Sequence, residues 1–293
     1  SPDDIILVYI NDDTYKGNTI TLAQEADVLD LNIYGDTIIL RSETGSTVTN
    51  TALDTAAGAG NDYIIYEVSG LNLILDSGVD LLLSQNTAYS PGGSISCADL
   101  TIQSGAVLTA ASSSNITVSG DWLNSGTFTS SDSTVIFDGA STRTINAGGT
   151  GDDNKDFYNI TVSGSTLQLT GTGLEVGGTL TINSGKTLDL NGQDLIVVTL
   201  DNNGTLKLIG SEDVSITNMD TALGEVEYTG TAGPYNIYDF GNTDYYNLII
   251  EKVLSGGYII ADNVLWGGKA FGNNAPDSAT EAIRRFNLCV TED

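Results

Sequence analysis

Three aspartates sit where glycine-rich turns meet strand-like segments. Asp62 ends Gly58-Ala-Gly-Asn-Asp62, and Asp76 and Asp80 bracket Asp76-Ser-Gly-Val-Asp80. Carboxylate and carbonyl oxygens are the hard ligands that Ca²⁺ takes. Asp62, Asp76 and Asp80 are therefore the calcium candidates, and a plain glycine turn before a strand explains the same residues without metal. No other cofactor is called for. Carboxylates for acid–base chemistry occur in Gly151-Asp-Asp153 and Asn242-Thr-Asp244. The chain has no His, which removes a Ser-His-Asp triad and most zinc sites. Lyase chemistry needs a cation, and Arg143 is the single Arg between residues 91 and 262. Turn residues are the simpler explanation of these acids, so the chain reads as a protein without catalysis. Cys97 and Cys289 are the disulfide candidates: one long-range bridge, a link between subunits, or two buried thiols. Asn115, Asn159 and Asn203 open Asn-x-Thr glycosylation sequons.

The composition narrows the partners. The formal net charge is −28, from 38 acidic and 10 basic residues, yet only 16% of the 293 residues are charged. No cationic patch is available for phosphates, which excludes nucleic acid and disfavours anionic membranes. No apolar run is long enough to span a bilayer, so membrane insertion is not expected. The polar surface must be mostly Ser, Thr, Asn and Gly. The opening Ser-Pro-Asp-Asp reads as a processed terminus, which fits a secreted or cell-surface protein.

The elements that must position these residues are strands. Apolar residues alternate with Thr, Ser and Asn over four to six positions, then meet Gly or Asn: Asn115-Ile-Thr-Val118, Ser133-Thr-Val-Ile-Phe137 and Gly204-Thr-Leu-Lys-Leu208. The chain also repeats itself. Leu100-Thr-Ile102 matches Leu180-Thr-Ile182, and Asn115-Ile-Thr-Val118 matches Asp194-Leu-Ile-Val197. Leu123-Asn-Ser-Gly-Thr127 matches Asp201-Asn-Asn-Gly-Thr205, and Ser133-Thr-Val-Ile136 matches Asp213-Val-Ser-Ile216. Self-similarity at this scale marks a solenoid, in which each short strand buries its apolar face on the next coil. The expected fold is all-β: a right-handed parallel β-helix over 91–262 of roughly seven or eight coils, on the order of 35 Å long at ~4.8 Å per coil. A distinct β region is expected at 1–90. A cap with a short amphipathic helix is expected at 263–293, where Ser278-Ala-Thr-Glu281 could form a capping box. Tyr235, Tyr238, Tyr245 and Tyr246 cluster late in the chain, fit for sugar stacking, a subunit interface, or pairing within a sheet.

Residues 99–251 resemble a repeat of large secreted bacterial surface proteins and adhesin-like proteins. The residues that carry the likeness are Phe157-Tyr-Asn-Ile-Thr-Val162, Leu180-Thr-Ile-Asn-Ser-Gly185, Leu188-Asp-Leu-Asn-Gly192 and Val118-Ser-Gly-Asp-Trp-Leu-Asn-Ser-Gly-Thr-Phe128. The resemblance implies a parallel β-helix outside the cell. It says little about activity, because such repeats serve as stalks, adhesins and scaffolds alike. The second copy departs from the pattern: it lacks the Trp, and Val197-Val-Thr199 replaces Val-x-Gly. Gly58–Tyr66 also resembles one nonapeptide of the calcium-binding β-roll repeats, with Asp76–Leu82 a weaker echo. Asn242-Thr-Asp244 and Gly151-Asp-Asp153 resemble fragments of the polygalacturonase signature, but in reverse order and without its His.

Together these features suggest a self-assembling subunit of a surface fibre or an adhesive stalk. Its partner would be further copies of itself. Ile5, Ile6, Leu7, Val8, Tyr9 and Ile10 form the candidate strand for donation between subunits. The alternatives are a glycan-binding adhesin or phage-type fibre and, behind it, a polysaccharide lyase or hydrolase.

Overall fold

The computed structural model of the chain describes residues 1, 3–12, 14–24, 28–58, 62–148, 157–231, 237–240 and 245–250. These residues wind into a parallel β-solenoid of about 10 turns. The expected C-terminal cap, Cys289, Asp152 and Asn242-Thr-Asp244 lie outside the described residues.

The first elements are β1 (Ile5–Tyr9), β2 (Asn18–Leu22), β3 (Thr37–Ser42), α1 (Asn50–Ala57), β4 (Tyr66–Ser69), β5 (Asn72–Leu75) and β6 (Asp80–Leu83). A first sheet of twelve strands runs β1, β2, β3, β6 and then strands that begin at Leu100, Trp122, Thr142, Thr166, Thr187, Thr205, Glu225 and Leu248. A second sheet of nine strands runs from β4 and β5 through Ile95–Cys97, Asn115–Val118, Thr134–Phe137, Asn159–Val162, Leu174–Ile182 and Leu195–Asn202 to Val214–Asn218. A third side is built from Ala88–Tyr89, Val107–Thr109 and Thr127–Thr129. The first two sheets cross residue 90 without a break, so 1–90 contribute strands to the same solenoid as the repeat.

Period-two alternation explains each strand. In Leu100-Thr-Ile102 the two aliphatic residues are buried and Thr101 faces out. Stacked coils place like on like: Leu81, Leu100, Trp122, Ile145 and Leu169 form one inward column. Around Trp122 the core is aromatic. Its ring lies 5.0 Å from Phe128, 5.2 Å from Phe157 and 6.4 Å from Phe137, in edge-on or tilted geometry.

Two pairings break the parallel rule. β1 runs antiparallel to β2, and β4 runs antiparallel to β5. Each closes a long sheet at its N-terminal edge, and α1 packs against both β1 and β4. The Thr49 hydroxyl caps α1 by accepting the Ala52 N–H at 3.2 Å, and Leu53 is fully buried. Asn50 accepts the Tyr89 hydroxyl at 2.5 Å and donates to the Leu71 carbonyl at 2.6 Å. Tyr66 donates its hydroxyl to the Leu53 carbonyl at 2.9 Å. The solenoid is thus lidded at its N-terminal end, by a helix the sequence did not announce. The proposed donor strand Ile5–Tyr9 is β1 itself, already paired within its own chain, with Ile10 just beyond it.

One repeat match needs correcting. Val118 pairs with Phe137, and Val197 pairs with Ile216. Since Val118 matches Val197, Phe137 matches Ile216 and Val135 matches Val214. The match of Ser133-Thr-Val-Ile136 with Asp213-Val-Ser-Ile216 is therefore out by one residue. A slip of one turns every inward side chain outward, so the sheet rejects it.

Candidate functional site: an aspartate-lined groove

An open groove of about 550 Å³ lies on the flank of the solenoid. Asp80, Asp99, Asp138, Ser119, Gly139 and Arg143 line it. The coil geometry builds its acidic wall. Asp80, Asp99 and Asp121 each stand one residue before a core residue of the first sheet, so stacking Leu81, Leu100 and Trp122 stacks the aspartates as well. Each carboxylate then reaches along the axis to the next coil. Asp80 Oδ1 accepts the Asp99 N–H at 3.0 Å, Asp99 Oδ1 accepts the Asp121 N–H at 2.8 Å, and Asp121 Oδ1 accepts the Thr144 N–H at 2.7 Å. Gly120 is required beside them, because a Cβ there would overlap Asp99 Oδ1 and the backbone of Ala98.

This ladder has an electrostatic cost. Burial pushes the Asp80 carboxyl up from its ordinary range, and the neighbouring charges of Asp99, Asp36 and Asp121 push it further, against the bond from the Asp99 N–H. Like charges directly opposite one another in a sheet repel. Farther along, the same outward column reads Gln168, Asp189, Lys207, Glu227, and there the signs alternate. Arg143 is half-buried at the far end of the groove, with its Nε out of solvent and without a hydrogen-bond partner. Among the described residues it forms no ion pair. A groove with carboxylates along one wall and a guanidinium at one end offers acceptors and donors to a polyhydroxylated ligand.

The three calcium candidates do not converge. Asp80 lies in the groove. Asp76 holds a turn, its carbonyl accepting the Val79 N–H at 3.0 Å. The Asp62 carbonyl accepts the Lys16 ammonium at 2.7 Å, so a cation already sits against it. Among the described residues no group of three or more His, Cys, Asp or Glu is arranged to hold a metal ion. Sequence reasoning missed Asp99 and Asp121. The available signal was an Asp directly before each of Leu-Leu-Leu83, Leu-Thr-Ile102 and Trp-Leu-Asn124.

The other named residues fall elsewhere. Cys97 points into the core, and burial raises its thiol well above the ordinary range. Asn115 is exposed at the start of its strand. Asn159 is half-buried, its Oδ1 accepting the Thr179 N–H at 2.9 Å. Asn203 lies in a turn and donates to Asp201 at 2.7 Å. The late tyrosines pack on one another: Tyr238 stacks on Phe240 with centroids 5.9 Å apart, and the Tyr228 and Tyr245 hydroxyls meet at 3.1 Å. Tyr238 also donates to the carbonyl of Glu212, whose buried carboxylate accepts the N–H groups of Ile209, Gly210 and Gly192. Among the described residues no helix is long and apolar enough to cross a membrane.

Compared with known proteins, the chain matches no family model, no curated protein and no solved structure. The likeness to surface-protein repeats rests on the quoted motifs alone.

Proposed function

We propose that this chain is an extracellular structural protein without catalysis, a subunit that assembles into a surface fibre or serves as an adhesive stalk. The observation that supports it is the unbroken stacking of about 10 coils into sheets of twelve and nine strands. Such a body has a continuous core, and each coil is stabilised only by its neighbours. That construction suits load along the axis and repetition.

Negative-stain electron microscopy of native material, with and without EDTA and reductant, tests the proposal. Regular filaments or bundles are expected. Loss with EDTA would give calcium a role, and loss with reductant would give one to the cysteines. Short rods that stay dispersed in every condition would overturn it.

A second reading, a glycan-binding adhesin or phage-type fibre, is favoured by the aspartate groove and its unpaired Arg143. Retention of a glycan on an array, lost in Asp99→Ala, would support it.

A further inference from the structure

We infer that the outward face of the second sheet, from Ile95–Cys97 to residues 179–182, docks a second copy of this chain face to face. The inference rests on the assembly proposed above and names the surface that would make it.

Charge carries the first part. The whole chain bears −28. The outward column Ser96, Thr117, Ile136, Thr161 and Thr181 bears none. Neither does the column beside it, which runs from Ser94 through Asn115 and Thr134 to Thr199. Charge resumes around this patch: Glu67 and Asp201 beyond the two ends, Glu175 earlier in the strand Leu174–Ile182, and Asp132 and Asp138 at the flanking corners. The first sheet carries Asp80, Asp99, Asp121, Asp189, Lys207 and Glu227 in its outward column instead. Two bodies of like charge approach at least cost where both present an uncharged patch.

Hydrogen bonding carries the second. In the outer column the hydroxyls of Ser96, Thr117, Thr161 and Thr181 are half-exposed and have no hydrogen-bond partner among the described residues. The neighbouring column is partly used up within the chain: Ser94 Oγ accepts the Asn115 N–H at 3.1 Å, and Asn159 Oδ1 accepts the Thr179 N–H at 2.9 Å. The free hydroxyls are donors and acceptors at once, so the same row can serve both sides of a self-complementary contact.

Pitch selects the occupant. Successive rows rise by ~4.8 Å, and sheets of short side chains pack ~10 Å apart. A second copy shares that rise through every coil, whereas a partner of different repeat drifts out of register. The patch spans only a few hundred Å² per copy, by ~4.8 Å per strand and two columns of side chains. That is small for a stable interface, so one pairing is weak and an array of subunits strengthens it. A glycan on Asn115 or Asn159 would stand on this face, so modification and docking exclude each other.

Sedimentation equilibrium of the full chain at low and high NaCl tests the inference. Association at high-micromolar concentration is expected, tightening about tenfold or more with salt as screening relieves the surrounding negative charge. Thr161→Glu and, independently, Thr117→Glu are expected to weaken it at least tenfold with unchanged circular dichroism. Thr166→Glu, half-exposed on the first sheet, leaves it intact. Association that weakens with salt, or that ignores both substitutions on the second sheet, would overturn this face. If filaments then persist in the microscope, the assembly proposal survives its loss. A monomer at every salt concentration, with no filaments, removes both. A chain that does not self-associate but sediments with an insoluble polysaccharide in a Thr161-dependent way gives the face to a glycan surface and overturns the second copy.

Discussion

Trp122 and Leu200 hold the same place in the written repeat but different sides of the solenoid. Trp122 stacks between Leu100 and Ile145 in the first sheet. Leu200 stacks on Leu180, which stacks on Ile160 and Val135, in the second. Part of the second copy changes side, while Asn115–Val118 and its counterpart at 195–197 share the second sheet. Leu100-Thr-Ile102 belongs to the first sheet and Leu180-Thr-Ile182 to the second. One cause is visible at the corner. In the first copy Gly120 turns the chain between Asn115–Val118 and Trp122–Asn124. In the second, Val197-Val-Thr199 replaces Val-x-Gly, and Leu195–Asn202 continues as one strand.

What survives the change of side is the next corner. Asn124 donates to the Ala147 carbonyl at 3.0 Å and accepts the Gly126 N–H at 3.0 Å. Asn202 donates to the Glu225 carbonyl at 2.9 Å and accepts the Gly204 N–H at 3.2 Å. Both amides are buried. A Cβ on Gly126 or Gly204 would overlap two carbonyl oxygens of the preceding coil. The repeat therefore conveys a corner with its strands, and the core behind it is free to be aromatic in one copy and aliphatic in the other.

The largest test of this comparison is in the core. Trp122→Ala should cost about 3–5 kcal/mol, because it opens a cavity among Phe128, Phe137 and Phe157. Leu200→Ala should cost less, near the low end of about 2–5 kcal/mol. Urea unfolding followed by circular dichroism measures both, and a larger loss for Leu200 would break the contrast.

The corners should behave alike. Asn124→Ala and Asn202→Ala each strand a buried carbonyl and a buried N–H, and each should cost about 1–3 kcal/mol. Similar midpoint shifts would sharpen the equivalence, and a shift in one copy alone would end it. Gly120→Ala should cost a similar amount, about 1–3 kcal/mol, by forcing Asp99 and the Ala98 backbone apart.

The smallest effect concerns the acidic column, all of one sign near Asp99 and alternating near Lys207. The Asp80 carboxyl is raised in the folded state, so protonation favours the fold. Its contribution makes stability rise as pH falls from above its folded value toward the ordinary carboxylate range. Asp132 has the opposite sign. Hydrogen bonds from Ser112 and Ser113 hold it low, and that contribution is lost as pH falls through its folded value. Asp80→Asn keeps an acceptor for the Asp99 N–H. It should raise the urea midpoint slightly at neutral pH and flatten the mildly acidic part of the pH profile. A lowered midpoint would show that the carboxylate charge supports the ladder rather than straining it.

Legibility differed between parts of the molecule. The strands were readable because alternation is local and survives stacking: Ile116 and Val118 are buried as their spacing implies. Helix α1 was not. Asn50, Thr51 and Thr55 are weak helix formers, and Leu53 is its single fully buried apolar side chain. Tyr66, Tyr89 and Leu71, from later in the chain, hold it in place. In the groove, Asp80 was readable as an acid near a glycine turn, but not as the first rung of a column. Its partners are 19 and 41 residues away in sequence.

The sequence alone determined that the chain would be all-β, coiled and acidic, because side-chain alternation and glycine corners act over a few residues. The tertiary structure alone decided which side of the solenoid each strand would occupy and which aspartates would meet. Those follow from the length and angle of each turn, and a corner that runs straight, as at Val197-Val-Thr199, keeps the residues after it on the same side.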